Sequence, residues 1–107
     1  YQFVLGAAGG TAATVENLVY LKNLIPEGST WSAFGIGKGH VPIMLAALAM
    51  GGHVRVGMED NVLFSPNVLA DSNAQFVVRA ANLIRESGFE VASPDDARNI
   101  LGLKGVN

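Results

Sequence analysis

The chain has 107 residues, of which half are hydrophobic and 15% are charged, with a formal net charge of −2 at pH 7. This charge gives no electrostatic basis for binding nucleic acid or an anionic membrane surface. Cysteine is absent, which excludes a disulfide framework and a thiolate metal site, and no apolar run approaches the ~20 residues of a membrane span. We therefore expect a cytoplasmic protein.

Strands and helices alternate along the first half of the chain. Bulky apolar residues predict a strand over Gln2–Leu5, and β-branched and aromatic residues predict further strands over residues 30–34 and 53–56. The first helix is expected to begin after Thr14, which can cap it, and to end before Pro26. The apolar segment 41–50 predicts a second helix that is buried on several sides.

Two further helices are expected in the second half. A third helix should run from a cap within residues 71–73 to Ser87, with Gly88 directly after it. A fourth, short helix should begin at Ser93, where a serine cap is followed by a proline suited to the first helical position. Its apolar contacts are expected from Ile100, Leu101 and Leu103.

Three strand–helix units do not complete a sheet, because both edges and one face would lack partners. We therefore interpret the chain as α/β, comprising the last three βα units and the terminal helix of a (β/α)₈ TIM barrel, which needs about 250 residues. Residues 1–107 would then be a single piece, the C-terminal part of the barrel domain, starting within a longer protein. A doubly wound sheet is the alternative, but the glycines of residues 6–10 lack the dinucleotide-binding spacing.

The candidate site follows the third strand, where Arg55, Glu59 and Asp60 are clustered in a chain with few charges. Polar residues at the carboxyl end of a parallel strand lie where α/β folds place their chemistry. Arg55 alternates with two valines and would point into the barrel if these pack on the helices. Arg55 and Glu59 would be ~13 Å apart in an extended strand, so a shared site requires a bend, which Gly57 permits.

Each of these side chains has a catalytic and a structural interpretation. The Arg55 guanidinium could bind a substrate carboxylate or form a structural salt bridge with Asp60. Glu59 could complete a catalytic zinc site with two imidazoles, or be a loop carboxylate paired with Arg55. Asp60 could act as a base or orient another group, and the structural alternative is an N-cap or Asx-turn residue. For Asn61 we adopt this structural interpretation.

The loop between the second strand and second helix carries a glycine pattern, with Gly37, Lys38 and Gly39 at its centre. Such a loop could bind a phosphate at a helix amino terminus, although a plain tight turn is the alternative. Outside these segments, His53, Trp31 and Phe34 are expected to be core residues.

Several segments together resemble the carboxyl-terminal third of the β-keto acid cleavage enzymes. The longest is 51–61, Gly-Gly-His-Val-Arg-Val-Gly-Met-Glu-Asp-Asn. The shorter ones are 3–6 with 9–10, 30–32 with 35–37, 69–70 with 72–73, and 97–98 with 100–103. The resemblance therefore extends from Phe3 to Leu103.

The resemblance implies a zinc-dependent (β/α)₈ barrel that exchanges acyl groups between a β-keto acid and acetyl-CoA, giving acetoacetate and a CoA ester. It implies that Glu59 is a zinc ligand beside a His-x-His pair from an early strand, and that Arg55 and Asp60 act with a serine. A CoA phosphate would be the ligand of Gly37, Lys38 and Gly39. This sequence contains no His-x-His pair, so we expect activity only within the complete barrel.

Other interpretations remain open at this point. The chain could be a non-catalytic fragment that completes or oligomerises with another chain, or part of a phosphate-binding TIM barrel with other chemistry. Its apolar composition leads us to expect a homo-oligomer. The sequence does not identify which β-keto acid would be the substrate.

Overall fold

Three parallel strands, with helices packed against one face, form the centre of the computed structural model, which describes residues 1–104. Strands β1 (Gln2–Leu5), β2 (Ser32–Gly35) and β3 (His53–Val54) lie in the order β1-β2-β3. Helix α1 (Val15–Leu24) connects β1 to β2, and α2 (His40–Ala49) connects β2 to β3. This order of parallel strands and intervening helices confirms the predicted α/β class.

Side-chain alternation assigns each strand residue to one face of the sheet. Phe3 pairs with Ala33, and Ala33 pairs with Val54. These three residues belong to, or pack against, a buried cluster between the sheet and its helices. The fully or almost fully buried members of this cluster are Leu5, Leu18, Trp31, Ala33, Ile43 and Ala47.

The chain continues from β3 through a short antiparallel hairpin into two more helices. Strands β4 (Leu63–Ser65) and β5 (Val68–Leu69) form the hairpin, which the sequence interpretation did not predict. Asn67 has a φ of 62° in its turn, a conformation that asparagine adopts more readily than most residues. Helix α3 (Asn73–Glu86) follows, and α4 (Pro94–Leu101) is the last helix.

The predicted helix caps are confirmed. Thr14 accepts a hydrogen bond from the Asn17 backbone N–H, and Ser72 accepts one from that of Gln75. Ser93 forms a capping box with Asp96, and its hydrogen bonds hold the pKa of that carboxyl below its usual value. Because a cap satisfies an otherwise unpaired N–H, each stabilises its helix by about 1 kcal/mol.

The strand and helix boundaries differ from the prediction at several points. Strand β2 begins at Ser32 instead of residue 30, and β3 ends at Val54 instead of residue 56. Helix α2 starts at His40, one residue earlier than predicted, which places Pro42 at its third position. The short β3 leaves Arg55 just beyond the paired part of the strand.

Some predictions of burial are wrong. Ile100, Leu101 and Leu103 of the terminal segment are 49%, 56% and 58% exposed. His53, expected in the core, is exposed at the start of β3, because its place in the alternation is on the face opposite the helices. Trp31 and Phe34 are buried, as predicted.

The sheet has a second face that no element of residues 1–104 covers with a layer of helices. Gln2 and Val4 of β1 are exposed on this face, which we call the open face. The outer edges of β1 and β3 pair with no other strand in the described range. Across residues 1–104, none of the helices has the length and hydropathy needed to span a membrane.

Candidate active site beside the third strand

The side chain of Arg55 lies on the open face, as the alternation with Val54 predicted. Val54 packs toward the buried cluster under the helices. The guanidinium of Arg55 lies 4.4 Å from the centre of the Phe34 ring, and its Nη1 donates to Oε1 of Gln2 at 3.0 Å. Arg55 is therefore held across two neighbouring strands by a cation–π contact and a hydrogen bond.

Both carboxylates of the following loop reach Arg55. Nε of Arg55 lies 3.2 Å from Oδ2 of Asp60, and Nη2 lies 3.5 Å from Oδ1. Nη2 also lies 3.5 Å from Oε1 of Glu59. The three side chains form a cluster with one positive and two negative charges, so the cluster has one negative charge in excess.

A tight turn at Gly57 produces the bend on which this cluster depends. The carbonyl of Gly57 accepts from the N–H groups of Asp60 and Asn61, each at 3.3 Å. A Cβ atom at Gly57 would lie 2.3 Å from Oε2 of Glu59. The expected bend is thus present, and in this arrangement the Glu59 carboxylate lies directly against Gly57.

Two hydrogen bonds fix this turn to neighbouring elements. The Met58 N–H donates to Oδ1 of Asn73, the first residue of α3, at 2.7 Å. The Gly37 N–H donates to the carbonyl of Asp60 at 3.4 Å. The loops after β2 and β3 are therefore joined, as expected when the carboxyl ends of parallel strands meet at one edge.

Both ion pairs of the structural interpretation are present, Arg55 with Asp60 and Arg55 with Glu59, and the catalytic roles stay predictions. The Asp60 side chain, 10% exposed, pairs with Arg55 and caps no helix. Asn61 forms the Asx turn expected of it, because its Oδ1 accepts from the Leu63 N–H and its Nδ2 donates to the Leu63 carbonyl. Glu59 is the accessible member of the cluster, with a side chain that is 56% exposed.

The Glu59 carboxylate is the most exposed of the three charged groups in the cluster. It is accessible, it has only one 3.5 Å contact to a guanidinium, and it belongs to a cluster with excess negative charge. Within residues 1–104, however, no group of three or more His, Cys, Asp or Glu residues could hold a metal ion. This part of the chain fits the role of supplying one zinc ligand, and the others would have to come from outside it.

The glycine-rich loop after β2 is a tight turn that continues into a helix. Gly37–Gly39 form one turn of 3₁₀ helix, and α2 follows directly. A Cβ atom would lie 2.3 Å from the Gly39 carbonyl oxygen if placed at Gly35, and 2.4 Å from the Ala13 Cβ if placed at Gly39. Packing therefore requires these two glycines, whereas Gly37 has a φ of 62° and open space around it.

Gly37 and Lys38 line a cavity of about 350 Å³ between this loop, the β4–β5 hairpin and α3. Gly39 does not line the cavity. Of the three residues expected at a phosphate, the structure thus brings two to one concave surface.

His40, the last residue of the predicted phosphate loop, and Arg79 also line this cavity, and the sequence interpretation missed Arg79. His40 is 3% exposed, and burial, followed by the positive charge of Arg79, lowers its pKa, which Asp60 raises. Burial also lowers the pKa of Arg79. The sequence did contain one indication that Arg79 faces inward. It lies three residues after the buried Phe76 and is therefore on the inner side of α3.

The fold and the cluster define a class of protein: an α/β domain with an arginine and two carboxylates at the carboxyl end of a parallel strand. Comparison with known families gives the particular family. The model of the beta-keto acid cleavage enzyme family matches residues 1–103. The chain belongs to this family.

Curated relatives agree with this assignment. The chain is 46% identical over 104 residues to a 3-keto-5-aminohexanoate cleavage enzyme of Fusobacterium nucleatum, covering 97% of this chain and 38% of the relative. It is 42% identical over 103 residues to the enzyme of the same name from Acetoanaerobium sticklandii, covering 96% and 38%. It is 39% identical over 109 residues to a 3-oxoadipate:acetyl-CoA acetyltransferase of Cupriavidus necator, covering 98% and 38%. The chain thus spans about 38% of the length of these relatives.

Proposed function

We propose that this chain forms the C-terminal part of a zinc-dependent β-keto acid cleavage enzyme that exchanges acyl groups between a β-keto acid and acetyl-CoA. The observation that carries the proposal is the cluster of Arg55, Glu59 and Asp60 on the open face, at the carboxyl end of β3. Two names among the relatives support the reaction class, since one is a cleavage enzyme for a β-keto acid and another an acetyl-CoA acetyltransferase.

The missing part of the barrel is proposed to cover the surfaces that residues 1–104 leave open. The free edges of β1 and β3 would pair with neighbouring barrel strands, and the open face would become the barrel interior. Val4, 45% exposed on that face, would then be buried. In the complete barrel, β1 to β3 would be its last three strands, with active-site groups at their carboxyl ends.

Arg55 is proposed to bind an anionic oxygen of the β-keto acid. Its guanidinium is oriented by Phe34, Gln2 and Asp60, and its side chain remains 38% exposed. A planar guanidinium matches a carboxylate through two parallel hydrogen bonds. The same positive charge would stabilise the negative charge that develops when the substrate loses a proton.

Glu59 is proposed to be one zinc ligand, with the remaining ligands on the rest of the protein. The negative excess of the cluster and the exposure of this carboxylate support the assignment. Zinc bound there would supply Lewis-acid polarisation of the substrate oxygens.

Asp60 is proposed to take the proton from the carbon next to the ketone, or to orient the group that does so. Its Oδ2 is buried and forms no hydrogen bond of good geometry within residues 1–104, although it lies 3.2 Å from Nε of Arg55. This oxygen therefore has an acceptor position that no hydrogen bond within residues 1–104 occupies. The substrate carbanion would attack the acetyl-CoA thioester and displace the CoA thiolate. The thiolate would attack the original ketone carbon, and cleavage of the bond between that carbon and the carbanion carbon would give a CoA ester and acetoacetate.

Activity of the full-length protein tests this proposal. Acetoacetate release from acetyl-CoA would be measured with a panel of β-keto acids that includes 3-keto-5-aminohexanoate and 3-oxoadipate, and zinc would be measured by elemental analysis. Glu59→Gln should lose both bound zinc and activity, whereas Glu27→Gln, an exposed acid in the loop after α1, should retain both. Full zinc content and activity in Glu59→Gln would contradict the proposal.

A further inference from the structure

The cavity between the Gly37–Gly39 turn, the β4–β5 hairpin and α3 carries basic groups that the proposed reaction does not use. It has a volume of about 350 Å³, which is within the range of small-molecule sites. Three of its lining residues are Lys38, His40 and Arg79, and none of the described residues that line it is acidic. This local excess of basic groups contrasts with the chain as a whole, in which 9 acidic residues outnumber 7 Lys and Arg.

His40 has a buried nitrogen without a partner. The residue is 3% exposed, its ring stands edge-on to Phe76 with centroids 5.2 Å apart, and its Nε2 makes no hydrogen bond within residues 1–104. Buried polar atoms are almost always hydrogen-bonded, because leaving one unsatisfied is unfavourable. A ligand in the cavity would supply the missing partner.

Arg79 also has nitrogen atoms without a hydrogen-bond partner, and its side chain carries a charge. Its Nη1 donates to the Phe64 carbonyl, and its guanidinium stacks on the Phe64 ring at 4.1 Å. Its Nε and Nη2 are buried and have no hydrogen-bond partner in the described part of the chain, where the ion pairs involve Arg55 and Arg98 instead. These two nitrogens could donate to an anion, because a guanidinium binds carboxylates and phosphates through several N–H groups.

The apolar side of the cavity indicates an organic anion. Val41, Leu63 and Phe64 line it beside the basic groups. A free inorganic phosphate would leave these side chains without a partner, whereas the body of a larger ligand would cover them. The cavity also adjoins the candidate active site, because Gly37 at its rim donates to the Asp60 carbonyl.

We propose that this cavity is an anion subsite, in which Lys38, His40 and Arg79 bind a phosphate group of CoA. The identity of the ligand rests on the proposed acyl exchange with acetyl-CoA, whereas the need for an anion rests on the unpartnered nitrogens of His40 and Arg79. Those atoms are closed off from solvent, so a ligand can reach them only if the wall of the cavity shifts.

Calorimetric titration of the full-length protein with CoA, 3′-dephospho-CoA, pantetheine and inorganic phosphate tests the proposal. Arg79→Gln should weaken CoA binding about tenfold, the effect of losing one charge-assisted hydrogen bond, and leave pantetheine binding unchanged. Arg85→Gln, an exposed arginine of the same helix, is the matched control and should bind CoA as the original protein does. Lys38→Ala, at an exposed position, should also weaken CoA binding if Arg79→Gln fails to fold.

The outcomes separate this proposal from the proposed function. Equal CoA affinity in Arg79→Gln, Lys38→Ala and Arg85→Gln would overturn the subsite, even in an active enzyme. Arg79-dependent CoA binding by a protein without acyl-exchange activity would support the subsite and contradict the proposed chemistry. Binding of inorganic phosphate, but not of CoA, that depends on Arg79 would retain the anion site and overturn its assignment to CoA.

Discussion

Arg55 and Asp60 face each other through two atom pairs, Nε with Oδ2 at 3.2 Å and Nη2 with Oδ1 at 3.5 Å. The Asp60 side chain is 10% exposed and that of Arg55 38%. This pairing fixes the plane of the guanidinium above Phe34 and leaves its outer edge toward Gln2 and the open face. An arginine presented in this way can bind a planar anionic group without losing its orientation.

Arg55→Lys should lower kcat/KM for acyl exchange on the order of 100-fold, because lysine retains the charge but lacks the planar fork that pairs with Asp60. The measurement is steady-state acetoacetate release by the full-length protein. Arg98→Lys changes an arginine that pairs with Asp95 in α4, and it should have no effect on the rate. Equal rates in the Arg55→Lys variant and the original protein would refute the role given to Arg55.

Asp60→Asn should lower kcat on the order of 1,000-fold with little change in KM, because the amide keeps the shape of the carboxylate but cannot take up a proton at neutral pH. The matched control is Asp71→Asn, which alters an exposed aspartate in the segment before α3. If KM rises while kcat is unchanged, Asp60 only orients Arg55 for substrate binding.

Bound zinc provides an independent check on this substitution. Asp60→Asn should retain the zinc content of the original protein, because Glu59 is the only residue of this segment assigned to the metal. Loss of zinc from Asp60→Asn would instead make Asp60 part of the metal site.

The sequence predicted those features that depend on local patterns. Ser93 and Asp96 form a capping box because both groups lie within one helical turn. Arg55 lies on the open face because the alternation of side chains along a strand is fixed. The placement of the candidate catalytic cluster could therefore be derived without coordinates.

Features that depend on contacts between distant segments could not be derived in this way. His40 and Arg79 share a cavity only because α2, α3 and the β4–β5 hairpin pack together. The hairpin itself has strands of three and two residues, too short to show an alternating pattern. Likewise, the glycine pattern after the second strand suggested a phosphate-binding loop, whereas Gly35 and Gly39 are explained by close packing against the backbone of residue 39 and against Ala13.

Gly39→Ala tests this packing explanation. The added Cβ would lie 2.4 Å from that of Ala13, so the backbone would have to shift, and we expect the free energy of unfolding to fall by about 2 kcal/mol. Gly10→Ala is the matched control, because its Cβ would lie 3.4 Å from the nearest atom, the Ala7 carbonyl oxygen. Its effect should stay within about 0.5 kcal/mol in urea unfolding of the full-length protein. Equal destabilisation by the two substitutions would contradict the explanation.

The burial of His40 predicts a dependence of stability on pH. Burial and the charge of Arg79 on α3 lower its pKa below the usual 6.5, against the opposing effect of Asp60 in the loop after β3. Lys38 adds a further positive charge at the same cavity. Since the unfolded chain binds the proton more tightly, His40 favours the folded state above pH 6.5, and this contribution is lost as the pH falls through the folded-state pKa.

His40→Phe should therefore reduce the loss of thermal stability between about pH 7.5 and about pH 5.5, because phenylalanine has no proton to bind. Differential scanning calorimetry of the full-length protein measures the midpoint at both pH values. His53→Gln removes the other histidine, which is exposed, and should leave the loss unchanged. If acidification lowers the midpoint of His40→Phe as much as that of the original protein, the buried imidazole is not the group that titrates. In that case, burial and the charge of Arg79 do not lower the pKa of His40 in the folded protein.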